Sequence, residues 1–576
     1  MPDVGTQQAL QPLESRQAAG LLPRETPSLA RIRLANLGWI LLPVAVALWF
    51  VLLASRPLFR PDEGRYAEIP REMVATGDWL VPRLNGLVYV EKPPLQYWLT
   101  AASFQAFGSS AGVARLTSGL AAVFCVALTG WAARRLWGRG AAITAGALCV
   151  SAPLYFLVGQ QLTLDMLFTF FLTGGLVAFC AGQSVRDDRA RCLGWMLLCW
   201  VSIAAAVMVK GIAALAIPGL VLIVYSLWQR DGRVWSSAHV APGLAMCLVL
   251  AAPWFIAVGR AVPGFNEFFF IHEHLLRYAT LSAHRYEPWW FFIPVVLGGV
   301  APWIPQTVRA WRTRNEMRTP RGGFDARRLL WAWVWVTLIF FSASKSKLVP
   351  YVLPMVPALA LLVAGSKARL HVRDARWSAI ITLAAAAAVG IGIVVFRLVA
   401  HQEKQLALVD LATPALVATT LALALGGAAG LWLAYRQGAG AGLSGIAIGW
   451  YAANALIVGW AAAAASPLYS SETLAAAIAT RTPPPTHVYS VGYYEQTLPF
   501  YLGRTIEIVD FRGELDFGLR LDPSRAFSLE NFRQRWQAEP DSCAIMQGST
   551  YDSLAASGLP MTVIKRDPRY VLVARQ

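Results

Sequence analysis

The chain has 576 residues, of which 56% are hydrophobic and only 14% charged, and its mean hydropathy is +0.48. Soluble domains carry about a quarter charged residues, so these totals exclude an ordinary globular enzyme and point to a polytopic α-helical membrane protein. The formal charge of +17 is not a nucleic-acid signal, because basic residues of membrane proteins gather in cytoplasmic loops.

In chain order, residues 1–33 form a polar tail ending in "RIR", followed by Leu34–Ser55, 22 residues without a charge. A secretory signal has an apolar core of about 7–15 residues, so this segment reads as a first transmembrane helix that is retained. Thirteen spans are expected, centred near Val44, Ala122, Leu148, Leu172, Ile203, Gly219, Leu248, Pro294, Val336, Met355, Ala387, Leu421 and Ala455. The basic segments "RRLWGRG", "RDDRAR", "QRDGR", "RAWRTRNEMRTPRGG" and "SKARLHVRDAR" follow alternate spans and share the side of "RIR", which the positive-inside rule makes cytoplasmic. Pro93–Phe107 is read as lying at the outer interface, because counting it as a span would invert every later loop. The transmembrane part then runs over residues 34–465, with a long first outer loop at 56–112.

An odd number of spans places the C-terminus outside the cytoplasm. From about Ser466 the composition changes, and "TPPP" (Thr482–Pro485) marks a linker. The short β-branched runs "HVYSVG", "TIEIVD" and "CAIMQG" and a hairpin in "MTVIKRDPRYVLVARQ" predict a small α/β domain over 466–576. Of seven cysteines, six lie in apolar segments as small hydrophobes and Cys543 stands alone, so no disulfide framework is expected.

The outer segments hold most of the polar chemistry. The first carries Asp62, Glu63, Arg65, Tyr66, Glu68, Tyr89, Glu91 and Lys92, and others supply Asp165, Lys210, His272, His274, Arg277, Lys345, Lys347 and Tyr351. Each has a plain structural reading. A lysine near a span end snorkels, Asp165 fits a first-turn helix acid, Glu68 and Arg71–Glu72 fit a solvated helix face, and Tyr97–Trp98 and Trp289–Trp290 fit an aromatic belt. Those readings leave unexplained why acids and bases from five outer segments share one membrane depth. Lys210, inside "VMVKGIAAL", is the sharpest of them, since an ionisable group in a bundle is expensive and usually functional. Cations there can hold a phosphate, and carboxylates beside them can orient a nucleophile or bind a metal. The combination suits a substrate with a phosphate head and a lipid tail.

The stretch "RPDEGRYAEIPREMVATGDWLVPRLNGLVYVEKPPLQYWL" (residues 60–99), with "TLDM", "VKG" and "HLLRY", closely resembles the GT-C glycosyltransferases that use polyprenyl-phosphate donors. Within these it is most similar to the lipid A 4-amino-4-deoxy-L-arabinose transferase (ArnT) family, with protein O-mannosyltransferases as more distant kin. The resemblance implies a GT-C fold of thirteen membrane helices with a periplasmic α/β domain, in the bacterial inner membrane. It implies transfer of the aminoarabinose from undecaprenyl phosphate to a lipid A phosphate on the periplasmic face by a monomeric enzyme, and so resistance to polymyxin-like cationic peptides. Asp62 would be the family's acid at the head of the loop, orienting the acceptor or meeting the sugar ammonium. Arg65, Lys92, Lys210, Arg277 and Lys345 would hold the donor phosphate, and Tyr66, Tyr89 and Tyr351 would line its pocket. Asp165 and Glu91 are further acids near the reacting carbon. Glu91 with His272 is also the candidate pair for a divalent metal such as zinc, against a hydrogen-bonded structural histidine. The alternatives are a GT-C transferase for another sugar, such as mannose onto a protein hydroxyl, and more remotely a lipid-linked sugar transporter.

Overall fold

The structure, a computed structural model, describes residues 42–276, 287–314, 322–366, 370–399 and 403–575. It comprises two units, Met1–Trp49 and Phe50–Gln576. The first is described from Leu42, at the start of the apolar helix Leu42–Leu53; the second holds all the remaining elements.

Among the described residues eight helices are long and apolar enough to cross a membrane, or nine if the bent pair Arg139–Ser151 and Pro153–Gly159 is one span. All thirteen expected centres fall on helices, but length and composition do not reproduce a count of thirteen spans. Val44, Gly219 and Met355 lie on the shorter apolar helices Leu42–Leu53, Ala213–Gln229 and Val349–Gly365. Pro294 lies on an eight-residue helix, Phe292–Gly299, which gives way to a 3-10 turn at Ala301–Trp303. Pro302 there removes a backbone donor, which breaks the segment that hydropathy alone reads as continuous. The helices pack through small residues where their backbones meet. A Cβ on Gly426 would lie 2.6 Å from Gly449 Cα, an approach that only glycine permits and that membrane helices favour.

Between Leu53 and Ala111 the chain builds a separate layer. The helix Asp62–Thr76 opens with Asp62 and Glu63 in its first turn and stops at Gly77, whose φ of 73° closes the C-cap. A two-residue ribbon follows, β1 (Arg83–Leu84) and β2 (Leu87–Val88), turned by Asn85 and Gly86, both at positive φ. The helix Leu95–Phe107 has 13 residues, too few to cross a bilayer.

The expected α/β domain forms a six-stranded sheet in the order β5-β4-β3-β6-β8-β7. Its strands are β3 (His487–Val491), β4 (Glu507–Val509), β5 (Ala526–Phe527), β6 (Ser542–Gln547), β7 (Thr562–Arg566) and β8 (Tyr570–Ala574). The first four are parallel and the β7–β8 hairpin is antiparallel. Side chains alternate between two cores, as the period of two requires. Val488, Ile508, Cys543, Ile545 and Leu572 pack with Ile69, Met73, Leu84 and Tyr97 of the preceding layer. Tyr489, Val509, Ala544, Met546 and Val571 pack with Phe532, Trp536 and Leu554 of the domain's own helices. A sheet covered on both faces needs near-continuous apolar strands, which is why these runs read so plainly. All seven cysteines are buried and free.

This docking overturns two surface readings. Glu68 and Glu72 are not a solvated face but are 0% and 4% exposed, because the sheet covers their helix. Tyr97 is not part of a belt but wholly buried in the same core. Trp289 and Trp290 are exposed.

Candidate active site

The site is built outward from a buried carboxylate. Glu63, 4% exposed, accepts from Arg56 Nη1 at 2.6 Å and Nη2 at 3.1 Å, and from Arg115 Nε at 2.7 Å and Nη2 at 2.9 Å. The backbone N–H groups of Phe59 and Leu162 complete its shell at 2.8 and 3.1 Å. Burial pushes the Glu63 acid upward, but Arg115 and Arg56 outweigh it and hold the group well below the usual carboxylate range. Glu63 is therefore a fixed anion with no lone pair to spare for a substrate. It clamps the start of the Asp62–Thr76 helix to the Gln160–Thr163 turn, to which Arg56 also donates at Gln160 O, and Asp165 lies just beyond that turn.

Asp62, one residue before this clamp, points to a more open side: its side chain is 38% exposed and accepts from Arg65 Nη2 at 2.9 Å. Arg65 is buried; its Nη1 also reaches the Tyr89 hydroxyl at 2.8 Å and Glu514 at 3.0 Å. The guanidinium proposed by sequence as a phosphate holder thus braces Asp62 and Tyr89 against the α/β domain. Among the described residues its Nε–H has no hydrogen-bond partner. Tyr66 packs on Tyr97, ring centroids 6.1 Å apart.

A second group forms where three helices end. Asp165 stands in the first turn of Leu164–Gln183 and Lys210 in the last turn of Arg189–Lys210, and the two pair directly. Each end meets the helix dipole with the favoured sign. Asp165 does not cap its helix with its side chain; its carboxylate goes to Lys210. The ammonium also sits 4.4 Å from the centre of the Tyr351 ring, so Asp165, Lys210 and Tyr351 converge as the sequence suggests. Both charged side chains are about seven-eighths buried, at 14% and 13% exposure, which strengthens their field.

A third contact joins the loops. Lys92 Nζ lies 3.2 Å from Glu273 on the π-helix Glu267–Leu276. This brings Glu91 and His272, the sequence neighbours of that pair, into adjoining segments. His272 stacks on Phe268, with Nδ1 3.4 Å from Glu273. Among the described residues no three His, Cys, Asp or Glu side chains converge, whereas zinc takes four ligands, at least three of them from the protein. The described residues do not by themselves make up a metal site. Lys345 is exposed and Lys347 buried, the latter donating to Glu287 O and Ser344 O. Arg277 and the His274 side chain lie outside the described residues.

Sequence reasoning missed Arg56, Arg115, Glu273 and Glu514 as parts of the site and left Glu63 without a role. Arg115 did carry a signal: it is an arginine five residues into an apolar span, Ala111–Trp137, where a charge is unlikely without a partner. Glu514 carried none, since its partner is 449 positions away and only the docked domain brings them together.

Charged side chains gather where membrane helices end, beneath a docked α/β domain, and similarity to known proteins places this membrane protein in the GT-C class. Residues 39–269 match the family of dolichyl-phosphate-mannose-protein mannosyltransferases, and residues 474–575 match the aminoarabinose transferase C-terminal domain. The chain belongs to the ArnT family. It is similar to the crystal structure of ArnT from Cupriavidus metallidurans bound to undecaprenyl phosphate, with 34% identity, a TM-score of 0.85 and coverage of 93% of this chain and 98% of that one. Against the apo state of that protein the values are 32%, 0.82, 94% and 98%. It is 36% identical over 332 residues to the undecaprenyl phosphate-alpha-4-amino-4-deoxy-L-arabinose arabinosyl transferase of Aeromonas salmonicida, covering 56% of this chain and 59% of that one. For the Edwardsiella ictaluri protein of the same name the identity is 34% over 337 residues, with 58% and 60% covered. The chain thus aligns over about three fifths of the length of these curated relatives.

Proposed function

We propose that the chain transfers 4-amino-4-deoxy-L-arabinose from undecaprenyl phosphate to a lipid A phosphate, at the periplasmic face of the bacterial inner membrane. The observation that carries this reading is the buried Asp165–Lys210 pair under Tyr351, a preorganised charge site where helices end in a chain of ArnT-family fold. The acceptor phosphate oxygen forms the new bond to the anomeric carbon as the bond to the donor phosphate breaks, and undecaprenyl phosphate leaves with the electron pair. That oxygen is already deprotonated at neutral pH, so no general base is needed. Asp62, Asp165 and Glu91 instead orient the acceptor or meet the sugar ammonium, while Lys210 and Lys92, with Lys345 and Arg277, offset charge on the departing phosphate. Arg65 holds Asp62 and Tyr89 in place for this work, with Tyr66 beside them.

The test is mass spectrometry of lipid A from cells lacking their own transferase but supplied with the lipid-linked sugar. Aminoarabinose with the parent chain and none with Asp62→Ala at matched membrane levels supports the reading; unmodified lipid A with both rejects it. A second reading, mannose onto a protein hydroxyl, draws on the mannosyltransferase match over residues 39–269, and glycoprotein analysis of the same cells tests it.

A further inference from the structure

A cleft of about 130 Å³ opens between the β1–β2 turn and the edge of the six-stranded sheet, away from the groups described above. Asn85, Glu507, Arg525, Phe527 and Arg535 are among the residues that line it. Its walls are tied together by direct contacts. Asn85 is 1% exposed and exchanges two 2.8 Å hydrogen bonds with the backbone of Ile506, which locks the turn to the strand. The Arg525 guanidinium lies against Gly86, where an added Cβ would come within 2.1 Å of Nη1. Arg535 stacks over Phe527, 4.6 Å from the ring centre.

The charges of this cleft do not balance internally. Glu507 accepts from Val488 N and meets His487 at 2.9 Å. Neither guanidinium takes part in a side-chain hydrogen bond or ion pair among the described residues. The same domain's Arg569, by contrast, is bound to Glu495 at 3.2 Å. Two half-buried arginines converging on a polar cavity, far larger than one water needs, suit the forked recognition of a phosphate oxyanion.

We propose that this cleft binds a phosphate-class oxyanion and that, during transfer, it takes a second phosphate of the acceptor glycolipid. The second clause rests on the transferase reading. Leu87, in the cleft wall, is two residues from Tyr89, roughly 7 Å along an extended strand, and the Tyr89 hydroxyl accepts from Arg65 beside Asp62. In this reading the segment Leu87–Tyr89 joins the two places, and one phosphate of a phosphorylated disaccharide reacts while the other is anchored in the cleft.

The experiment uses the full chain in nanodiscs and the double variant Arg525→Gln/Arg535→Gln, with the double lysine variant as a charge-preserving control. Inorganic phosphate binding is read by ³¹P line broadening, and KM and kcat are measured for acceptors bearing one or two phosphates. The expected result is loss of saturable phosphate binding in the glutamine variant and retention in the lysine variant. KM for the two-phosphate acceptor rises at least fivefold, with kcat within twofold and no change for the one-phosphate acceptor. Lost phosphate binding with both KM values unchanged makes free phosphate the occupant and overturns the acceptor clause. Unchanged binding and unchanged KM in a variant that melts with the parent overturns the site altogether. A parent chain that transfers no sugar defeats the transferase reading, and the phosphate arm still decides the cleft. If the double variant fails to fold, Arg535→Gln alone is read by the same criteria.

Discussion

Glu63 and Arg115 lie 52 positions apart and meet as a buried two-bond pair, Nε to Oε1 at 2.7 Å and Nη2 to Oε2 at 2.9 Å. With Arg56 on its other side, Glu63 fixes the segment carrying Asp62 to the turn that precedes Asp165. Asp62 and Asp165, two of the three proposed catalytic acids, thus share one anchor that itself touches no substrate.

Replacing Glu63 with Gln strands two buried guanidiniums, and the loss of one partner of such a pair costs about 3–5 kcal/mol. The pH dependence follows from the direction of the shift. The folded acid titrates below its unfolded value of 4.5, so its stabilisation is complete above that value and is lost as pH falls toward the lower folded value. Unfolding midpoints of the purified chain between pH 7 and pH 3 should drop below pH 4.5 in the parent. The glutamine variant should start lower and lack that drop; equal midpoints at pH 7 would sink the idea.

Lys210→Met removes the cation from Asp165 and from beneath Tyr351. Transfer should fall on the order of 10²–10³-fold, the usual effect of deleting one preorganised charge at a reacting centre. The loss belongs in kcat rather than in acceptor KM, and single-turnover rates with the donor prebound measure it. A variant with wild-type rates removes Lys210 from the mechanism.

Glu68 shows the opposite behaviour to Glu63. Burial raises its pKa to about 8, opposed by Arg71 and helped by the neighbouring Glu72. The folded state therefore holds this proton more tightly than the unfolded one, and the associated stability is complete below about 4.5 and lost as pH rises toward about 8. Melting temperatures taken from pH 5 to 8 should decline in the parent and stay flatter in Glu68→Gln. Parallel slopes in the two proteins would contradict the assignment.

Gly64 faces the α/β domain so closely that a Cβ would come within 2.7 Å of the Gln496 backbone. Backbone cannot swing aside as a long side chain does, so Gly64→Ala should cost about 1–3 kcal/mol by overpacking. Limited proteolysis should then release fragments of the C-terminal domain at protease levels that leave the parent intact. Equal resistance would show that the docking relaxes at no expense.

Much was legible from local signals. Apolar length placed a helix at every expected centre, and β-branched runs located the strands β3, β4, β6, β7 and β8. Lys210 and Asp165 stood out because a charge next to a membrane span needs a reason. The edge strand β5, two residues long, left no such trace.

The sequence by itself determined the membrane class, the family and the placing of unusual charges beside membrane spans, because hydropathy and a 40-residue motif are properties of neighbouring residues. Tertiary structure alone decided which charges meet. It buried Glu68 and Glu72, gave Arg65 to Glu514 rather than leaving it open, and set Glu63 between Arg56 and Arg115. Those outcomes depend on one layer covering another, and a covered helix face differs from a solvated one only by what lies on top of it.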